Sequence, residues 1–110
     1  MKAEKKKRLE AAGWKVSTVS EFLGLTDEET ALIALKLDLA RAVKAERMRR
    51  TMTQAEVGER LGSSQSRVAK MEAGDPSVSI DLLVRALLGL GVNRRDLARH
   101  LSVSTSKRAA

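Results

Sequence analysis

Cysteine and tyrosine are absent from this sequence of 110 residues, and tryptophan, phenylalanine and proline occur once each. Without cysteine the chain can form neither a disulfide nor a thiolate metal site, and a reducing compartment is compatible with that composition. Because aromatic side chains are so few, the core must be built from Leu, Val, Ile, Ala and Met. A single proline leaves helices uninterrupted, and Ala and Leu favour them. The composition therefore predicts one all-α domain with a modest core.

Long apolar runs are also absent, and basic residues outnumber acidic ones. No run approaches the ~18 residues of a membrane span, and the start lacks the apolar stretch of a secretion signal. We therefore expect a cytoplasmic protein without a membrane segment. Lys and Arg number 21 against 14 Asp and Glu, which gives a formal net charge of +7. Such an excess favours a polyanion partner, because binding releases counterions.

Groups for catalysis are few. His100 is the only histidine, and the sequence shows no carboxylate cluster and no glycine-rich phosphate loop. We expect His100 to be a surface or dimer residue. The serines at 63, 64 and 66 are expected to serve turns and caps, since no base lies near them. The sequence therefore predicts a protein that is not an enzyme and that uses no metal and no cofactor.

Residues 54–73, QAEVGERLGSSQSRVAKMEA, carry the most informative pattern. They are typical of two short helices joined by a tight turn, with Gly58 small at the crossing and Gly62 ending the first helix. The layout is that of a helix-turn-helix, which binds DNA in the major groove. Four apolar side chains are expected to meet in one small core: Val57, Leu61, Val68 and Met71.

Capping residues support these helix boundaries. Thr53 and Glu56 have the spacing of a capping box, and Ser64 can accept a hydrogen bond from an early backbone N–H of the second helix. Similar caps are predicted for three other helices at Thr26 with Glu29, at Ser79 and at Asn93.

The second short helix has a polar outer face. If Val68 points inward, a step of about 100° per residue places Ser66 and Lys70 on the far side, flanked by Arg67. Gln65 lies in the first turn, where a recognition helix enters the major groove. This face is the predicted DNA-reading surface.

The remaining helices are predicted from apolar spacing. The long helix after Thr26 has a wide apolar face, and its basic run RAVKAERMRR is expected mostly in solvent, with one or two cations touching DNA backbone. Pro76 marks a turn, after which a helix ends at Gly91 and a last helix follows. The apolar positions are Leu32, Leu35, Leu39 and Ala42 or Val43, then Ile33, Leu37 and Ala40 as a second stripe, then Leu82, Leu83, Ala86, Leu87, Leu90, Leu97 and Leu101.

The N-terminal part of the chain differs in character. Residues 1–25 form a basic tail and an extension, residues 26–101 the helix-turn-helix domain, and residues 102–110 a flexible C-terminal tail. Residues 16–19 could form a short strand. The apolar side chains of the extension either fold back on the core or dock on another chain. They are Trp14, Val16, Val19 and Phe22.

The segment TQAEVGERLGSSQSRVAKMEAG resembles the Cro/C1-type (XRE) helix-turn-helix family in its TQ start, LG turn, SQ opening and closing E-x-G. The following DPSVSIDLLVRALLGLGV resembles the helix that completes that fold. The resemblance covers roughly residues 35–101. It implies a five-helix, lambda-repressor-like domain that binds double-stranded operator DNA and regulates transcription.

A narrower resemblance concerns the segment GWKVSTVSEFLGLTDEE and the helix after it, which look like those of HigA-type antitoxins. This resemblance implies a homodimer that represses its own operon and binds an mRNA-cleaving toxin of the HigB or RelE-like class. Residues 14–35, which include Trp14 and Phe22, are the preferred toxin-binding segment. The alternative is a stand-alone regulator of the same family without a toxin.

The family resemblance also assigns roles to individual residues. Gln54 matches a glutamine that contacts phosphate and braces the recognition helix, and Gln65 suits adenine, whose N6 and N7 offer one donor and one acceptor. Arg67 could read guanine or hold phosphate, and Glu72 is expected to be structural. The predicted DNA-binding residues are Gln54, Ser64, Gln65, Ser66, Arg67 and Lys70.

Overall fold

The computed structural model describes the backbone of residues 21–109 and the side chains of residues 21–101. The all-helical prediction is confirmed, and residues 21–109 contain no strand. The strand predicted at residues 16–19 lies outside the described residues. The helices are α1 (Asp27–Arg49), α2 (Gln54–Arg60), α3 (Gln65–Ala73), α4 (Ile80–Gly89) and α5 (Arg94–Ala109), and residues 21–23 are also helical.

The chain divides into two compact units, residues 1–34 and residues 35–110. The second unit contains all of α2 to α5 together with the greater part of α1. None of the described helices combines the length and the apolar character that crossing a bilayer requires.

The predicted caps are formed. Thr53 Oγ1 accepts a hydrogen bond from the Glu56 amide at 3.1 Å, and Glu56 Oε1 accepts one from the Thr53 amide at 2.9 Å. Ser64 Oγ accepts from the Arg67 amide at 3.1 Å at the start of α3. These bonds satisfy amides that lack a partner in the first helical turn. Equivalent bonds cap α1, α4 and α5 at Thr26 with Glu29, at Ser79 and at Asn93.

The aliphatic core of the second unit forms two clusters. The smaller cluster joins Val57, Val68 and Leu90, with Leu61 packed against it. Met71 belongs to the larger cluster, so the prediction of one small core holding Met71 with Val57 is wrong. The reason is that Met71 points at α1 and α4, whose positions the local pattern does not contain. The larger cluster contains Leu39, Ala42, Val43, Met71, Val78, Leu83, Ala86, Leu87 and Val92.

The leucine and isoleucine side chains in the first half of α1 are largely exposed, and the apolar face is buried mainly along the second half. Leu39 and Val43 are buried, whereas the side chain of Leu32 is 57% exposed and Ile33 and Leu35 are exposed as well. The regular spacing therefore predicted the helix correctly but not how much of its apolar face is covered.

The last helix extends beyond its predicted end. Leu97 and Leu101 pack against the larger cluster as expected. Helical backbone continues through Ala109, whereas the sequence placed the end of the helix at Leu101. The flexibility of residues 102–110 stays a prediction.

Candidate nucleic-acid interface

The close crossing of α2 and α3 depends on Gly58. A Cβ atom at this position would lie 2.8 Å from the carbonyl carbon of Ser64, closer than side chains tolerate. The Ser63 amide donates to the Gly58 carbonyl at 2.7 Å, and Gly62 takes a left-handed φ of +68° that suits glycine. The turn thereby fixes the direction in which α3 leaves α2.

This geometry leaves one face of α3 in solvent. Val68 and Met71 are buried against the two clusters, which determines the rotation of the helix about its axis. The opposite side is polar, as the 3.6-residue period predicts. The side chains exposed there, including the N-cap residue that precedes α3, are Ser64, Gln65, Ser66, Arg67 and Lys70.

A chain of hydrogen bonds connects this face to the helix behind it. Gln65 Nε2 donates to Gln54 Oε1 at 3.0 Å, and Gln54 Nε2 donates to Glu72 Oε1 at 3.2 Å. A carboxylate only accepts hydrogen bonds, so Gln54 must turn its NH₂ group toward Glu72. Its oxygen then faces Gln65, which must donate. The direction of both amides is therefore determined by one carboxylate.

The Gln65 side chain retains hydrogen-bonding groups that are available for contact with a base. Its amide keeps one N–H and a carbonyl oxygen after donating to Gln54. Adenine offers an acceptor at N7 and a donor at N6 in the major groove, which matches that pair. Gln54 holds the side chain in place, so less side-chain freedom is lost on binding. The bracing of Gln65 by Gln54 is a direct observation, whereas contact with a base stays a prediction.

Glu72 itself is held by Arg47 from α1. Arg47 Nε donates to Glu72 Oε2 at 2.6 Å and Arg47 Nη2 donates to Glu72 Oε1 at 3.0 Å, with the side chains 16% and 6% exposed. Arg47 Nη1 also donates to the Met52 carbonyl at 3.1 Å. The hydrogen bonds that Arg47 donates to Glu72 raise the pKa of Arg47. Glu72 is structural, as expected.

A second buried carboxylate lies near the C-terminal end of α1. The side chain of Glu46 is 8% exposed and accepts hydrogen bonds from His100 Nε2 at 2.7 Å, from Arg49 and from Arg50. Burial by itself would raise the pKa of Glu46, but the hydrogen bonds from His100, Arg50 and Arg49 outweigh burial and lower it to about 2. His100 on α5 thus contacts α1 and does not lie near α3.

The basic run of α1 is mostly exposed, as predicted, at Arg41, Lys44 and Arg49, and the two carboxylates account for the exceptions. Arg47 and Arg50 are not solvated cations, because each pairs with a buried glutamate of the same unit. No local sequence pattern could match Arg47 with Glu72, which lies 25 positions further along the chain. The capping and periodicity patterns act over one or two helical turns, and these pairs form across the fold.

The predicted partner-binding residues are described only in part. Trp14, Val16 and Val19 lie outside the described residues. Phe22 is 50% exposed, and Leu23 beside it is exposed too. Across the described residues, no group of three His, Cys, Asp or Glu side chains is arranged to hold a metal ion.

Comparison with known proteins gives one match. A family model described as Helix-turn-helix matches residues 43–97, which is half of the chain and extends from the last two turns of α1 to the start of α5. No curated protein and no solved structure matches the chain.

Proposed function

The chain belongs to the helix-turn-helix family, of the Cro/C1 (XRE) type that binds DNA, and we propose that it is a sequence-specific repressor. The observation that supports this proposal best is the hydrogen-bonded series from Glu72 through Gln54 to Gln65. It holds the amide proposed to read a base in position on the exposed face of α3. A cytoplasmic location follows from the proposed role, since bacterial operators lie there.

In this proposal α3 lies in the major groove. Gln65 contacts an adenine, Ser66 reaches a neighbouring base edge, and Arg67 and Lys70 contact guanine or phosphate. Gln54 and Ser64 lie at the start of α2 and α3, where backbone N–H groups also face phosphate. Arg67 and Lys70 are exposed and can reach the duplex.

We propose that a symmetric dimer binds two half-sites about 34 Å apart and blocks transcription sterically. Leu83, Leu87 and Leu90 cannot supply a dimer contact, because all three are buried within the protomer. The exposed apolar candidates are Leu88 on α4, which is 51% exposed, and the first half of α1.

The antitoxin role is the finer part of the proposal. It draws support from the sequence resemblance and from the exposure of Phe22, Leu23 and Leu32, which leaves apolar surface for a toxin of the HigB or RelE-like class. A stand-alone regulator is equally compatible with the family match. Co-purification of the adjacent gene's product with the full chain would support the antitoxin role, and its absence would favour the stand-alone regulator.

The DNA-binding proposal is tested by footprinting the full chain on the promoter of its own gene. We expect protection of two half-sites on one face of the duplex and an affinity that falls steeply with added salt. A salt-independent affinity, or protection without sequence preference, would contradict the proposal.

A further inference from the structure

A groove of about 510 Å³ runs along the side of the helix-turn-helix, between the turn after α2, the start of α3 and the second half of α4. Its volume lies within the range of small-molecule sites, roughly 300–1,000 Å³. Its apolar lining comes from Leu61, Met71, Leu82 and Ala86. This groove is separate from the polar outer face of α3, apart from Arg67, which belongs to both.

The absence of a side chain at Gly89 lets Leu61 approach the backbone of α4 at the floor of the groove. A Cβ atom there would lie 2.6 Å from Leu61 Cδ2, so Leu61 packs directly on the backbone of α4. Gly62, on the other side, has nothing within 4 Å of its Cβ position. The floor is therefore closed by Leu61 and the edge at the turn is open to a ligand.

Three arginines line this groove: Arg60, Arg67 and Arg85. Within residues 21–101, no ion pair joins Arg60 or Arg67 to a carboxylate, and Arg85 pairs at 3.3 Å with Asp81 in a contact where both side chains are highly exposed. Guanidinium groups stay charged at all ordinary pH values and bind carboxylate or phosphate oxygens in pairs. Three such groups around an apolar floor attract an anion that also has an apolar part.

Ser63 adds a polar group to the wall of the groove. Its Oγ is buried and makes no hydrogen bond to any of the described residues. A buried hydroxyl without a partner is costly. The wall of the groove therefore contains one hydroxyl that no described residue satisfies.

We propose that the groove binds a small amphiphilic anion, a carboxylate or phosphate on a compact apolar body, and that binding weakens the hold on DNA by engaging Arg67. The second half of this inference depends on the proposed DNA-binding function. A backbone phosphate of DNA has the same oxyanion chemistry but no apolar part for the floor formed by Leu61 and Leu82. The apolar lining is why we favour the free anion.

The test titrates the full chain with phenyl phosphate and, separately, with inorganic phosphate, at constant ionic strength and without DNA. Amide resonances of Gly62, Ser63 and Gly89 report occupancy in ¹H–¹⁵N spectra. We expect saturable shifts with phenyl phosphate at about tenfold lower concentration than with phosphate. Arg85→Ala should weaken phenyl phosphate binding by about tenfold, because one charged hydrogen bond is lost. Arg95→Ala, an exposed arginine outside the groove, is the matched control and should bind normally.

Absence of saturable shifts, equal affinity for the two probes, or full binding by Arg85→Ala would overturn the groove site. Shifts of Gly62 and Gly89 with a short duplex but not with phenyl phosphate would assign the groove to DNA phosphate and also overturn it. In a second arm, saturating phenyl phosphate should weaken operator binding measured by fluorescence anisotropy, and unchanged operator affinity would contradict the competition. A chain that binds phenyl phosphate but never operator DNA would refute the proposed function and leave the groove site intact.

Discussion

Arg47 on α1 and Glu72 on α3 form a two-bond ion pair, with N–O distances of 2.6 Å and 3.0 Å. The Glu72 carboxylate also accepts a hydrogen bond from the side-chain amide of Gln54. The Arg47 guanidinium also donates one to the carbonyl of Met52, which precedes α2. One pair therefore joins the three helices whose relative positions place the recognition surface. Because both side chains are largely buried, removal of either one leaves an uncompensated charge.

We predict that Glu72→Gln lowers the free energy of unfolding by about 3 kcal/mol, since the buried Arg47 loses its counter-charge. Urea unfolding followed by circular dichroism would measure the change. Arg49→Ala is the control, because Arg49 is mostly exposed in its pair with Glu46 and should contribute under about 1 kcal/mol. Equal losses in the two variants would show that the Arg47–Glu72 pair has no special role.

Gln54 and Gln65 are predicted to act as a unit in DNA binding. Gln65→Ala should weaken specific binding by about 1–3 kcal/mol through loss of a base contact. Gln54→Ala should weaken it as well, because the Gln65 amide loses the acceptor that orients it. A double-mutant cycle measured by anisotropy on operator DNA should therefore show losses that are less than additive.

The exposed neutral residue Met48 provides the control for this cycle, and Met48→Ala should bind operator DNA with unchanged affinity. Strictly additive losses at Gln54 and Gln65 would mean that the hydrogen bond between the two amides does not position the reader.

Local signals in the sequence predict much of the fold. A hydroxyl at Thr53 or Ser64 can reach only the amides of the next helical turn, so spacing alone identifies the helix starts. The rotation of α3 also follows from its period, because one inward residue, Val68, determines which residues face out. Capping and helical periodicity therefore predict which DNA-binding candidates are exposed. They also predict that Gly58 lies where α2 and α3 cross.

Contacts between distant segments could not be predicted in this way. Glu46 accepts a hydrogen bond from His100, which lies 54 positions away in the chain. Nothing in the local sequence around either residue distinguishes this buried glutamate from the solvated ones. The same holds for Arg47, which has the sequence context of a surface cation on α1. Burial of a charge depends on which helix packs over it, and that is a property of the tertiary fold.

The lowered pKa of Glu46 predicts acid sensitivity. The folded state holds the pKa of this carboxyl at about 2, against 4.5 for an unperturbed glutamate. As the pH falls, Glu46 therefore takes up a proton in the unfolded chain before it does so in the folded protein. The stabilisation of the fold by ionised Glu46 is complete above about pH 4.5 and is lost toward pH 2. The contribution is on the order of 3–4 kcal/mol, because each pKa unit corresponds to about 1.4 kcal/mol.

Urea unfolding between pH 2.5 and pH 6 would check this prediction. Glu46→Gln should be less stable than the parent at pH 6, and the difference should shrink as the pH falls. Other carboxyls with lowered pKa, such as Glu56 and Asp75, titrate in both proteins, so the difference between the two isolates Glu46. A difference that does not vary with pH would contradict the assignment.

Thr51, in the turn between α1 and α2, adopts a left-handed φ of +53°. A β-branched residue is strained in this region by about 1–2 kcal/mol, whereas asparagine tolerates it. Thr51 is exposed, so replacing its side chain removes no packing. We predict that Thr51→Asn raises the free energy of unfolding by about 1 kcal/mol, measured by urea titration. Thr51→Val keeps the branched carbon and should give no gain, so equal stabilisation by both variants would rule out relief of backbone strain as the cause.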